Sequence, residues 1–150
     1  MKSLAIAGDR AQLLARIAEL CPADRACWGR MNAWQMVRHL TEAIRVPLGE
    51  KEVSEATGLF QRTLLKWGAL WAPSPWPKGV PTMPELDQCR LGAETGDFEL
   101  TRSDLLALIS RLCEAGIEGR RHPYFGAMTR HEWLRWGYLH TDHHLRQFGR

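Results

Sequence analysis

The sequence predicts an all-α fold, a four-helix bundle with a long crossover that carries an accessory helix. Three observations lead there. Apolar residues recur at three- and four-residue steps through several segments, no stretch alternates strictly over a strand's length, and helix start and stop residues bracket the periodic segments. At 150 residues the chain fits a single domain, 1–150, and a domain of that size buries about 70% of the surface its unfolded chain exposes.

Each element has its own signal. Asp9 is positioned to cap a first helix whose apolar stripe is Leu13, Leu14, Ile17 and Leu20, with Pro22 just past its end. Asn32 and Gln35 match a capping box, with Met31 and Met36 as its hydrophobic staple, so a second helix runs from Ala33 to about Leu48 and stops at Gly49. A further helical segment, Glu55 to Trp71, stops at Pro73. The stretch from Ala72 to Pro84 holds five of the eight prolines and reads as extended loop, because proline lacks the N–H a helix needs and restricts the residue before it. Thr101 with Asp104 opens a helix that ends near Gly116. Thr129 and Glu132 form the clearest capping box, with Met128 stapling to Trp133, and predict a last helix from about Arg130 to Phe148.

Composition narrows the function classes. The net charge is +3 with basic and acidic residues interspersed, so no run tracks phosphates and nucleic acid is not expected as a partner. The most apolar stretch, Leu64 to Ala72, is short and contains Lys66, and MKSLAIAGDR does not read as a signal peptide, so neither a membrane partner nor export is expected and the location is cytoplasmic. Cys21, Cys27, Cys89 and Cys113 show no CxxC spacing, which argues against a thiolate zinc site and against a thioredoxin-type pair.

The histidines carry the chemistry. His140, His143 and His144 crowd the last helix. Residues four apart lie about 40° apart around a helix, with Cβ atoms roughly 6 Å apart, so His140 and His144 point the same way and suit one cation. The wheel turns His143 toward a polar side with Arg135, Asp142 and Arg146, and sets His144 on the arc of Trp133 and Gly137. Gly137, one turn before His140, implies that room is needed there for a close helix or a ligand. His39 lies mid-helix on the flank of the face built from Met36, Leu40, Ala43 and Val46, and bundle cores build metal sites from facing helices. The plainer alternatives are dipole-facing surface histidines on the last helix and a hydrogen-bonded core His39.

Three imidazoles, His39, His140 and His144, leave a tetrahedral ion one exchangeable position for water or a thiol, the arrangement of catalytic zinc. The expected cofactor is one divalent metal ion, zinc or nickel first, while imidazole ligands by themselves do not choose among zinc, nickel, iron and manganese. Glu42, three residues after His39, is a further candidate as an orienting group or fourth ligand, against a solvated or ion-paired side chain. Gln35 and Gln147 are candidate supporting partners. His122 in a loop and His131 in a first turn are not expected to join.

The segments WGRMNAWQMVRHL (28–40) and WGYLHTDHHLRQF (136–148) resemble the DinB-like metal-binding superfamily. WAPSPWPKGVPT (71–82) and HPYFGAMT (122–129) resemble a branch of it known only as a domain of unknown function. The resemblance implies a four-helix bundle with a long crossover and the triad His39, His140 and His144. It also implies kinship with metal-dependent transferases that attach low-molecular-weight thiols to electrophiles, and with proteins that form homodimers. The function expected is therefore a divalent-metal-dependent enzyme acting as a thiol transferase, with a low-molecular-weight thiol as a small-molecule substrate. The alternatives are a metal-dependent hydrolase and a non-catalytic metal-binding stress-response module. The proline-rich crossover and the accessory helix depart from the simplest members, and Trp71, Trp76 and Pro77 are candidates for a pocket roof or for plain packing.

Overall fold

The first helix, α1 (Ala7–Ala18), begins after Ile6, three residues earlier than the Asp9 cap predicts. Asp9 lies in its first turn and accepts from the Ser3 backbone N–H at 3.1 Å and the Lys2 ammonium at 2.8 Å, so it ties the N-terminal segment down instead of capping. The second helix, α2 (Ala33–Leu48), has the predicted bounds: Asn32 and Gln35 close a reciprocal capping box, and Gly49 ends the helix at φ 77°, a left-handed conformation that glycine adopts without a Cβ clash. The structure, a computed structural model, describes residues 1–91 and 96–150.

The accessory helix starts later than Glu55. Ser54 donates its N–H and hydroxyl to Glu85 Oε1 at 3.1 and 2.6 Å, and the Ala56 N–H is taken by the Pro123 carbonyl at 2.9 Å, so this stretch pairs with other loops and stays extended. Helical backbone begins at Leu59, passes through a π-helical turn at Gln61–Leu65, and continues as α3 (Lys66–Trp71). The proline-rich stretch that follows is irregular up to a 3₁₀ turn at Pro84–Leu86.

The next helix, α4 (Phe98–Glu114), begins a turn before the predicted Thr101, because Asp97 takes the capping role and accepts from the Leu100 N–H at 2.8 Å. Thr101 instead bonds back to the Asp97 carbonyl at 2.6 Å. A two-residue antiparallel pair, β1 (Arg121–His122) with β2 (Gly126–Ala127), was not anticipated; two residues are too few to show an alternating pattern. The last helix, α5 (Arg130–Gln147), opens on the Thr129–Glu132 capping box.

Helices α1 and α2 each pack on both α4 and α5. The core between them is apolar: Leu13 and Ile17 from α1, Met36, Leu40 and Ile44 from α2, Leu105 and Ile109 from α4, and Trp133 and Leu145 from α5 are fully buried. Each such side chain contributes about 1.5–3 kcal/mol on burial, so the bundle holds the fold and the crossover is laid over it. A Cβ on Gly137 would stand 2.9 Å from Leu4 Cδ1 and 3.4 Å from Leu112 Cδ2. The room this glycine makes is therefore used by the N-terminal segment and α4, and not by a ligand. All four cysteines are free thiols, and among the described residues no helix is long and apolar enough to cross a membrane.

Candidate metal centre

The two capping boxes fix where α2 and α5 begin, and thereby which side chains meet between them. His39 from α2 and His140 and His144 from α5 each present one ring nitrogen, and these three atoms lie within 4.8 Å of one another. His39 Nε2 and His140 Nε2 are 3.2 Å apart. Tetrahedral ligands at 2.0–2.1 Å from an ion would sit roughly 3.3 Å from each other, so this pair is already at coordination spacing and the whole set needs ring shifts of about an ångström.

The rear nitrogens decide which lone pairs face inward. His39 Nδ1–H donates to the Leu86 carbonyl at 2.9 Å, and His144 Nδ1–H donates to Gln147 Oε1 at 2.8 Å. Both bonds leave Nε2 unprotonated, the tautomer a cation needs. The Gln147 amide is held in turn by its own donation to the Trp28 carbonyl at 2.7 Å, and the same side chain reaches under Gly29. His140 is oriented by stacking on Trp136, centroids 4.7 Å apart and planes 21° from parallel. Its Nδ1 is buried without a hydrogen-bond partner among the described residues. Without a cation, one of the two facing Nε2 atoms of His39 and His140 has to carry a proton, and His39 cannot supply it while Leu86 holds its Nδ1–H. A shared cation removes that requirement.

Electrostatics keep the three rings neutral. Burial pushes His39 down, against the opposing pull of the Leu86 carbonyl and Asp87. Burial first, then the neighbouring imidazoles, holds His140 and His144 well below the usual imidazole range. The donor set of three neutral, convergent imidazoles with supported rear nitrogens fits a divalent ion of the borderline class.

The other candidates are distributed differently. The Glu42 carboxylate is bridged by Arg38 and Lys51, each at 3.1 Å, the ion-paired alternative of the two weighed for it. Gln147 supports His144 as anticipated, whereas Gln35 accepts from the Asn32 N–H at 2.9 Å and works in the helix cap. His131 stacks on Trp71 at 5.6 Å, which makes Trp71 a packing residue, while Trp76 and Pro77 line the cleft above the triad. His122 is buried beside the cleft; its Nδ1 accepts the N–H groups of Tyr124 and Phe125 at 3.1 and 3.3 Å, and burial brings it down to about 3.

His143 corrects the helical-wheel reading. It is half-buried and lines the cleft, 6.1 Å from the rings of both Trp28 and Trp76. Arg135, expected on the same polar side, is buried: it donates to the carbonyls of Leu70 and Lys2 and lies over the Trp71 ring. Both departures arise because the crossover and the N-terminal segment cover a face of α5 that the wheel leaves open. Sequence reasoning also missed the Leu86 carbonyl, a backbone group with no side-chain signature, and Trp136, whose place four residues before His140 was a usable signal.

The triad forms the floor of a cleft of about 1110 Å³ that opens between the bundle and the crossover. Fold and site together define a helical-bundle protein with three histidines close enough to bind a metal ion. The chain belongs to the family described as protein of unknown function DUF1569, whose model matches residues 7–150. No curated protein and no solved structure matches it.

Proposed function

We propose that the protein is a divalent-metal-dependent enzyme acting on a small organic molecule, with thiol transfer as its reaction and hydrolysis as the second chemistry. One observation carries the reading: three imidazoles from two helices converge at the floor of an open cleft, two of them already held from behind by Leu86 and Gln147. His39, His140 and His144 would hold the ion; zinc or nickel is the first expectation, although imidazole ligands suit several divalent metals. A bound divalent ion supplies Lewis acidity that turns a thiol or a water molecule into a nucleophile near neutral pH.

In the transfer, the thiol sulfur forms the new bond to an electrophilic carbon, the leaving group departs with the electron pair of the broken bond, and the thiol proton passes to solvent. The chain contributes position. The Leu86 carbonyl and Gln147 keep two imidazoles aimed, Trp136 keeps the third flat against it, and the apolar cleft wall gives an organic substrate a surface to lie on. The DinB-like resemblance of segments 28–40 and 136–148 supports the same reading, with a cytoplasmic setting, a low-molecular-weight thiol as co-substrate, and neither nucleic acid nor membrane as partner.

The test is metal content followed by turnover. Protein purified without chelator is expected to carry close to one divalent ion per chain by plasma mass spectrometry, and His144→Ala to carry none. Metal-loaded protein with glutathione, bacillithiol or mycothiol and a panel of electrophiles is expected to form conjugates that vanish in His140→Ala. Hydrolysis without conjugation would select the hydrolase. Metal without either reaction would select the non-catalytic module, and absence of metal would remove the proposal.

A further inference from the structure

Above the triad the cleft is apolar, and its wall is left open to solvent. Phe60, Leu64 and Val80 line it while 60%, 67% and 57% exposed. A large apolar surface rimmed by polar groups marks a binding site when the segment that carries it is held in place. This one is held. Lys66 pairs with Glu132 at 2.7 Å, the Arg135 guanidinium binds the Leu70 carbonyl, Leu70 is fully buried, and the Trp76 indole N–H donates to the Ala69 carbonyl at 2.6 Å. The exposed side chains therefore sit on a docked helix and loop.

Charge at the cleft leans positive among the described residues. Arg30 lines it, and the Lys78 ammonium sits 4.3 Å from the centroid of Trp28, another lining residue. The carboxylate on this wall, Asp87, accepts the backbone N–H groups of Cys89 and Arg90 at 3.1 and 3.4 Å and is engaged in its own turn. Two cations against one carboxylate, among the described residues, leave the cleft mouth with a positive balance that favours an acidic group in the occupant.

We propose that the cleft binds an amphipathic organic anion, its apolar chain or ring lying along Phe60, Leu64 and Val80 and its acidic group meeting Arg30 and Lys78. This deepens the proposed function by naming the substrate class of the same site, and it rests on that reading only in taking the cleft as the place where substrate binds. The metal and the apolar wall occupy different residues, so each can be removed alone.

The experiment is calorimetric titration of the full chain, metal-free and metal-loaded, with straight-chain carboxylates of four, eight and twelve carbons and with the matching alkylamines. Affinity for the carboxylates is expected to rise about fourfold for each methylene buried, with each amine at least tenfold weaker than its carboxylate. Leu64→Glu is expected to weaken dodecanoate more than tenfold with metal content unchanged, and Arg30→Glu to weaken carboxylates but not amines. His144→Ala is expected to lose metal and keep dodecanoate in the metal-free comparison, so a failure of the metal reading and a failure of this one are separable. Affinity independent of chain length, or equal for the two head groups, would overturn the proposal. So would sedimentation showing a dimer that excludes dodecanoate and that Leu64→Glu dissociates, which would make a second copy the occupant.

Discussion

The floor and the roof of the cleft are built by opposite means. The floor consists of three imidazoles on two long helices, each helix started by a reciprocal cap and each ring oriented by a partner: a carbonyl, an amide or an indole. The roof is a π-helical turn and a proline-rich loop, from which Leu64 and Val80 are more than half exposed. Orientation is expensive to maintain and is concentrated where a cation would need it; the roof needs only shape and apolar area. The comparison teaches that the two walls can be perturbed separately, since the bundle core does not depend on the roof's outward side chains.

The sharpest way to break this separation is to weaken the floor from behind. Leu40→Ala, next to His39 and fully buried, is expected to cost about 2–5 kcal/mol in urea unfolding. A loss below 1 kcal/mol would mean that the core around α2 is softer than its packing indicates. Next in size, Gln147→Leu removes the acceptor that holds His144 and should weaken metal affinity by about 10–100-fold in chelator competition, with Gln147→Glu recovering most of it. Equal affinities in all three proteins would show that His144 needs no support.

His122 offers a pH test. It is neutral in the fold, with a pKa brought from 6.5 to about 3, so between those values the unfolded chain binds a proton that the folded chain refuses. Its contribution is intact above the unfolded value and is lost as pH falls below about 6.5. On going from pH 7.5 to 5.5, metal-free wild type should lose about 1.4 kcal/mol more than His122→Asn, as a single titrating group dictates. Identical losses would mean that His122 is protonated in the fold, against its acceptance of two backbone N–H groups. The smallest effect is expected in the roof: Leu64→Glu should change unfolding stability by no more than about 0.5 kcal/mol, as befits an exposed position.

What was readable in the sequence follows the same division. Asn32 with Gln35 and Thr129 with Glu132 are local signals whose geometry closes within four residues, so α2 and α5 have the predicted starts and bring His39, His140 and His144 together. Where a boundary depends on distant partners, reading stopped short. Residues 55–58 look helical by pattern but are extended, with the Ala56 N–H on Pro123 and Ser54 on Glu85. Asp97 outcompetes Thr101 as a cap because it precedes Phe98, an apolar residue that the core takes in. Arg135 and His143 show the limit of a helical wheel: it gives an angle about one axis and says nothing of which other segment arrives to cover that angle.

The parallel contact between the Trp136 indole and the His140 ring has a practical corollary. If His140 takes part in holding an ion as proposed, this indole would report on that ion's electrons. Nickel or cobalt, with partly filled d shells, should dim ultraviolet emission from this indole, whereas zinc, with a closed shell, should leave it bright. Trp136→Phe should weaken the contrast and leave Trp76, 6.0 Å from the same ring, to report the remainder.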